Sequence, residues 1–401
     1  PDSKVHFSFE YAYDETQIEQ KLTYELSSRQ WEGFWSGTLV DPENVPFSID
    51  RLPNGFSSFR NKVEKYSSYP EPVKTPKVAQ SFTQDHWGED PVLLNLKKSL
   101  ASPMDAIKTI AFIGADEGKM IEIPTCDEED VQTYCAQWNK VIKGGASAGW
   151  DRLNDYLWDS NRVASYKKTR NGLIGLEYST KFSVWLANGS LSARSIAAEI
   201  TKYENERVKN DSTYWVIFEL LWRDFFRLSA LKYGPKWFAK GGIQSKSMNY
   251  EQNAMNLQAW IHSKTGFSFI DANMKELATL GFMSNRGRQN VASFFTQNLN
   301  LDWRIGAEYF EHHLIDYDPA SNYGNWMYNA TLGHDPRNRF FNIELQANRY
   351  DSSGEYVRLW NRELKKVPLA LRHKPYQYNQ SMFVAPIIDL EKSYEKIRKR
   401  A

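Results

Sequence analysis

The sequence predicts a mostly α protein. A large all-helical domain over residues 144–401 follows a truncated α/β, Rossmann-like fragment over 1–45 and a connector over 46–143. Three observations carry this. From Gly144-Gly145 onward, apolar residues recur at helical spacing almost without interruption. Before that point, short β-branched and aromatic runs near the N-terminus flank one helical run. Between the two lies a stretch rich in Pro, Ser and Asn, from Asp41 to about Leu93, that reads as an ordered connector.

Val5 to Tyr13 has strand character, Asp14 to Leu26 reads as a capped helix, and Trp35 to Val40 as a second strand. Such a β-α-β fragment is too small to bury both faces of a parallel sheet. It is expected to be the tail of a larger α/β unit whose first strands are missing or come from a partner. Phe56 to Tyr66 is the helix within the connector, and Glu128 to Val141 the helix before Gly144. Trp150 to Trp158 and Tyr166 to Leu173 follow, then a helix through Tyr203 capped by Ser192. Thr213 to Tyr233 is apolar around most of its circumference, which marks a buried central helix ended by Gly234-Pro235. Asp271 to Leu280 stops at Gly281, and Trp303 to Leu314 is a further helix. Beyond Tyr328 come loops with Asp335-Pro336, a short helix near Glu355 to Leu364 and a basic helical tail from Leu390 to Arg400.

At 401 residues and 41% hydrophobic, the chain can bury one large core or two ordinary ones. Fourteen Trp, 22 Tyr and 22 Phe point to extensive helix packing, stacking sites or both. Fifty basic residues against 49 acidic give a charge of +1, so nucleic acid would have to be met by a local patch. Cys126 and Cys135 lack metal-type spacing and are too few for a disulfide framework, which favours a reducing, intracellular compartment and predicts no metal site. No apolar run approaches the roughly 20 residues of a membrane span. The chain begins at Pro1, so either a leader has been removed or an earlier segment is absent, and its address cannot be taken from that end.

Gly281 to Tyr328 crowds amides, guanidiniums, carboxylates and indoles beside glycines. Buried polar groups need partners, so this composition implies a sizeable polar ligand between the two halves of the stretch. The motifs Glu219-Leu220-Leu221-Trp222-Arg223-Asp224-Phe225-Phe226, Asn285-Arg286-Gly287-Arg288-Gln289-Asn290 and Ser321-Asn322-Tyr323-Gly324-Asn325-Trp326 resemble the photolyase and cryptochrome flavoproteins. So does Thr265-Gly266 through Asp271-Ala272-Asn273-Met274. Gly287, Gln289, Tyr328, Tyr166-Lys167 and Thr169-Arg170-Asn171-Gly172 are most similar to the DASH-type cryptochromes. The likeness runs from about Trp31 to Tyr356 and is dense from Gly144 on.

The resemblance implies a helical domain holding FAD, with blue light driving electron transfer to cyclobutane pyrimidine dimers, mainly in single-stranded or locally opened DNA. It makes Tyr166 and Ser179-Thr180-Lys181-Phe182-Ser183 contacts to the flavin's phosphates and ribityl chain, a role that hydroxyls plus a cation suit. It places Asn285 beside the reactive ring nitrogen, with Arg288 and Asp316 as the adjoining ion pair and Asp318 and Asn322 as further flavin contacts. Glu219 would hydrogen-bond the damaged pyrimidines, kept partly protonated by burial. Trp222 and Tyr328 would flank the lesion, Arg286 would meet a phosphate, and Gln289 would sit near the lesion. Taken alone, Glu219 reads as a satisfied structural acid and Trp222 equally as core.

Trp326 and Trp303 match the inner and middle members of the chain that re-reduces the flavin, while Tyr250 stands where a third Trp is usual. That departure predicts slow or rerouted photoreduction, for example through Trp260. Val184, Asn188, Met327 and Asn361-Arg362 also depart from the family pattern without removing a flavin contact. A folate antenna is expected to be absent. If active, the protein would be a deoxyribodipyrimidine photolyase-type lyase. Two alternatives stand beside this: a catalytically silent structural or interaction subunit, with a partner covering the α/β fragment in a mitochondrion or chloroplast, and a blue-light photoreceptor.

Overall fold

The longest helix of the described residues, Asp211–Tyr233, is the element on which the others are packed. Its start is fixed by Asn210, whose side-chain oxygen accepts from Ser212 N (2.7 Å) and Thr213 N (3.1 Å), while Thr213 Oγ1 accepts from Asn210 N (3.1 Å). This reciprocal arrangement satisfies backbone donors that a helix start leaves orphaned. Gly234, at φ +50°, ends the helix just before Pro235. Val216, Leu220, Leu221, Phe225 and Leu228 are buried along it, which explains its nearly continuous apolar circumference. Helices Phe56–Tyr66, Tyr166–Thr169, Ala193–Glu206 and Pro319–Asn329 surround it.

This computed structural model describes residues 5–73 apart from 26–30, together with 129–335 and 340–400. It is mostly helical. Within it, strands β1 (Val5–Phe9) and β2 (Trp31–Trp35) form a two-stranded parallel sheet with Phe7 opposite Gly33, and helix α1 (Tyr13–Glu25) lies between them in sequence. The second strand therefore precedes the expected Trp35 to Val40. The cause is a competitor for its backbone: Leu39 N and Val40 N donate to the buried Asp224 carboxylate at 2.9–3.0 Å. Gly37 turns the chain at φ +79°, and a Cβ there would lie 2.2 Å from the Arg227 guanidinium.

The remaining helices lie close to their expected bounds. Phe56–Tyr66, Glu129–Val141 and Leu390–Arg400 form, and Ser192 Oγ accepts from Arg194 N to cap Ala193–Glu206. Trp303–His313 starts at Asp302, which accepts from Arg304 N. Ser268–Leu280 stops at Gly281, where φ is +63°. Three expectations differ. The Trp150 to Trp158 run divides into Ala146–Asn154 and a wider turn, Asp155–Asp159. Tyr166 to Leu173 keeps only one helical turn because Gly172 N bonds back to Thr169 O. Glu355–Trp360 ends where Asn361 turns extended.

Two apolar cores result. One gathers Trp185, Tyr156, Tyr203, Phe59 and Phe225, the other Trp237, Trp260, Trp303, Trp326 and Phe294, and Trp222 packs against both. The described residues within 5–72 and 129–400 form one compact unit. Much of the connector expected over 46–143, and Cys126 with it, lies outside the described residues, as does Pro336. Among the described residues, no helix is long and apolar enough to cross a membrane.

Candidate functional site

Where the two cores meet, four segments enclose a cavity of about 440 Å³. One wall is the 179–183 segment, shaped by a residue that does not touch the cavity. Arg152, 3% exposed, donates through Nε to Thr180 O (3.0 Å) and through Nη2 to Leu176 O (2.8 Å) and Ser179 O (3.0 Å). Three loop carbonyls that would otherwise be unpaired are thus held by one guanidinium fork. Lys181 adopts φ +61°, a left-handed conformation that is uncommon outside glycine.

The Lys181 ammonium rests on ring faces, 3.4 Å from the centre of Tyr178 and 4.7 Å from that of Phe282. Burial pushes its pKa well below the usual lysine value, with Glu276 opposing the shift. Ring faces compensate only part of an ammonium's lost hydration, so an anion in this cavity would complete the site. The hydroxyls of Ser179, Thr180 and Ser183 border the same space, as do Tyr166 and Phe182.

The second wall is the start of helix Asn285–Ser293. Ser284 Oγ accepts from Gly287 N (2.9 Å), so the helix begins at Asn285, whose exposed amide borders the cavity. Arg288 Nη2 reaches both oxygens of Asp316, at 3.0 and 2.9 Å, and its Nε donates to Met283 O. Gln289 Oε1 is buried without a protein partner. The third wall is the 314–318 loop leading into helix Pro319–Asn329. Asp318 caps this helix by accepting from Ser321 N (2.8 Å) and also pairs with Arg227 at 2.6 Å. Burial would raise the Asp318 pKa, but the Arg227 and Arg223 guanidiniums with these hydrogen bonds outweigh it, so the carboxyl stays ionised. Asn322 Nδ2 is fixed by donating to Ala307 O (2.9 Å).

The central helix supplies the fourth wall, with Glu219 and Trp222 one turn apart. Glu219 Oε1 accepts from Trp215 Nε1 (3.0 Å) and pairs with Arg170 Nη1 (2.7 Å). Burial raises its pKa against the pull of Arg170 and Trp215. Phe56 backs Trp222 face to face, with centroids 3.8 Å apart, while Tyr328 stands edge-on at 6.3 Å and donates its hydroxyl proton to Asp335. An apolar cleft with a few convergent polar groups is the usual form of a cofactor site.

Every flavin-contact candidate lines this cavity, as do Glu219, Trp222, Gln289, Trp326 and Tyr328. Three candidates do not. Arg286 donates to Asn171 (3.0 Å) and lies over the Tyr350 ring at 4.6 Å. Trp303 and Tyr250 are buried behind the wall, and both donate to Lys240 O at 3.2 Å. Trp326 reaches the cavity because Gly306 lets its ring approach; a Cβ there would lie 2.3 Å from it. Sequence reasoning missed Arg152, Arg227 and Phe56 and cited Arg170 only as part of a motif. Their roles depend on partners 24 to 166 positions away, and nothing local signals them.

The donor set suits a dinucleotide: hydroxyls and a partly compensated cation on one segment, an amide and a guanidinium–carboxylate pair on two others. Comparison with known proteins agrees. The family described as the FAD binding domain of DNA photolyase matches residues 215–401. Cryptochrome DASH of Gloeobacter violaceus is 43% identical over 376 residues, 93% of this chain and 69% of that protein. Cryptochrome DASH of Xenopus laevis is 42% identical over 396 residues, 98% and 70% of the two chains. The crystal structure of Synechocystis sp. PCC6803 cryptochrome superposes with a TM-score of 0.79 at 38% identity, covering 99% of this chain and 78% of that one.

Proposed function

This chain belongs to the cryptochrome DASH family, and from that premise we propose that it binds FAD in the cavity and repairs cyclobutane pyrimidine dimers in single-stranded DNA under blue light. One observation carries the reading: the dinucleotide donor set and the Glu219, Trp222 and Tyr328 group share a single continuous space. Cofactor and lesion would then be neighbours. When bound, FAD supplies the absorption of light and the electron given to the dimer.

The protein's own residues divide the remaining work. Lys181 and the 179–183 hydroxyls hold the diphosphate, with Arg152 fixing the loop that carries them. Asn285 and the Arg288–Asp316 pair, which line the same cavity, would hold the isoalloxazine and set the electrostatic field around it. Trp222, backed by Phe56, offers a stacking surface to the flipped bases, a contact of about 1–3 kcal/mol per base. Glu219, with its pKa raised by burial, hydrogen-bonds a pyrimidine carbonyl once the lesion displaces Arg170. Single-stranded substrate suits this arrangement because extruding a dimer from duplex costs a few kcal/mol more. Gln289 adds a polar contact at the lesion, and Arg286 meets the DNA backbone at the rim after releasing Asn171. A folate antenna is not part of the proposal.

The test is blue-light repair of a thymine-dimer oligonucleotide by the flavin-loaded, reduced protein, with Glu219→Gln alongside. Loss of dimers in single strands, sharply slowed by Glu219→Gln at unchanged flavin content, supports the reading. A loaded, reduced protein that leaves every dimer intact refutes it.

A further inference from the structure

Trp326 lines the cavity, and its ring contacts include a second indole. Trp260, fully buried, has its ring centre 6.3 Å from that of Trp326. Tyr309 lies 5.1 Å beyond Trp260, and His313 is stacked on Tyr309 at 4.0 Å with 24° between the planes. Tyr309 and His313 are half-buried, so three aromatic rings in series join the cavity wall to the solvent side of helix Trp303–His313.

Resting on the flavin reading above, we propose that a hole formed on Trp326 leaves through Trp260 and settles on Tyr309, making Tyr309 rather than Tyr250 the terminal electron donor. Three features of the two branches decide between them. Tyr250 is buried, its hydroxyl donates to a backbone carbonyl, and the Lys240 ammonium sits 5.4 Å above its ring. A carbonyl is a poor base for the proton that an oxidised phenol must lose, and a nearby cation repels a hole. Tyr309 is less fully buried and stacks on an imidazole instead. Its stacking partner His313 is kept neutral, since burial lowers its pKa, and its Nδ1–H donates to Tyr309 O (2.8 Å). No cation then faces the Tyr309 ring from that side.

The third feature is Trp260 itself, whose Nε1–H is buried with no acceptor. An oxidised Trp260 cannot shed that proton locally, so it remains a strong oxidant and draws an electron from Tyr309. The balance is one electron throughout. Trp326 is oxidised by the photoexcited flavin, Trp260 refills Trp326, Tyr309 refills Trp260, and Tyr309 releases its phenolic proton to bulk water. An exogenous one-electron donor, such as a thiol, restores the tyrosine.

The experiment is flash excitation of the oxidised, flavin-loaded protein, followed by transient absorption and electron paramagnetic resonance for a neutral tyrosyl radical. Flavin content is measured for every variant. Tyr309→Phe and Trp260→Phe are expected to abolish the tyrosyl signal at unchanged flavin content, whereas Tyr250→Phe leaves it in place. A signal lost in Tyr250→Phe and retained in Tyr309→Phe overturns the relay, as does a wild type that forms no tyrosyl radical. Should Trp260→Phe disturb folding, the conservative Tyr309→Phe change decides alone. A wild type that binds no flavin removes the proposed function and the relay together. Failed dimer repair with an intact Tyr309-dependent radical would overturn repair only.

Discussion

Replacing His334 by Gln is expected to remove a specific acid sensitivity from this fold. His334 hydrogen-bonds the Asn54 carbonyl at 2.7 Å through Nδ1, and its Nε2 is buried without a partner. Phe225, Tyr233 and Trp237 pack around it, with ring centres 4.6, 5.7 and 6.2 Å away. Burial lowers its pKa from the ordinary 6.5 to about 4, with the Asn54 carbonyl opposing the shift and Lys232 adding to it. Between those values the unfolded chain takes up a proton that the folded protein refuses. Unfolding free energy therefore falls as pH drops from about 6.5 to about 4, by about 3 kcal/mol in all, and levels off below. The group's folded pKa is depressed, so its contribution is complete above the unfolded value and is lost on acidification. Gln keeps an N–H for Asn54 O and cannot become charged. Urea unfolding at about pH 7.5 and about pH 4.5 should show the wild type losing about 2–3 kcal/mol more than His334→Gln over that interval. Equal losses in the two proteins would refute the reasoning.

Other substitutions test the remaining supports. Asp224→Ala leaves Leu39 N and Val40 N without their acceptor and should cost about 3–5 kcal/mol in chemical denaturation. A loss below about 1 kcal/mol would mean that water replaces the carboxylate freely. Arg152→Lys keeps the charge but not the fork that spans three carbonyls. It should weaken flavin retention by about tenfold, or about 1.4 kcal/mol, in a dialysis or fluorescence titration, although the residue does not border the cavity. Unchanged retention would disconnect the loop from the cofactor.

The helical part of this architecture was legible because its signals are local. Apolar spacing, the Ser192 cap and the Gly281 and Gly234-Pro235 stops each act within a few residues of where they are written. The second strand was misplaced because the competing acceptor, Asp224, lies 185 positions from Leu39. The site divides in the same way. Motif residues such as Arg288, Asp316 and Glu219 could be named from the chain, and the fold assembles them around one cavity. Their supports could not, since the Arg152 fork, the Arg227–Asp318 pair and the Phe56 backing of Trp222 exist only once separate segments meet. Arg286 shows the converse: its position in the motif says nothing of its contacts with Asn171 and Tyr350.

The clasp between Asp224 and the backbone of Leu39 and Val40 also bears on how the chain reaches its native form. Closing a loop of that size is entropically slow, and no reward arrives until both ends are present. During synthesis, the early segment must wait for the central helix to emerge before its amides find their acceptor. Until then the carboxylate has to remain hydrated. The joining of the N-terminal sheet to the bundle is therefore a late event, and partly assembled chains would expose Trp222 and Phe56 to chaperones before they enclose any chromophore.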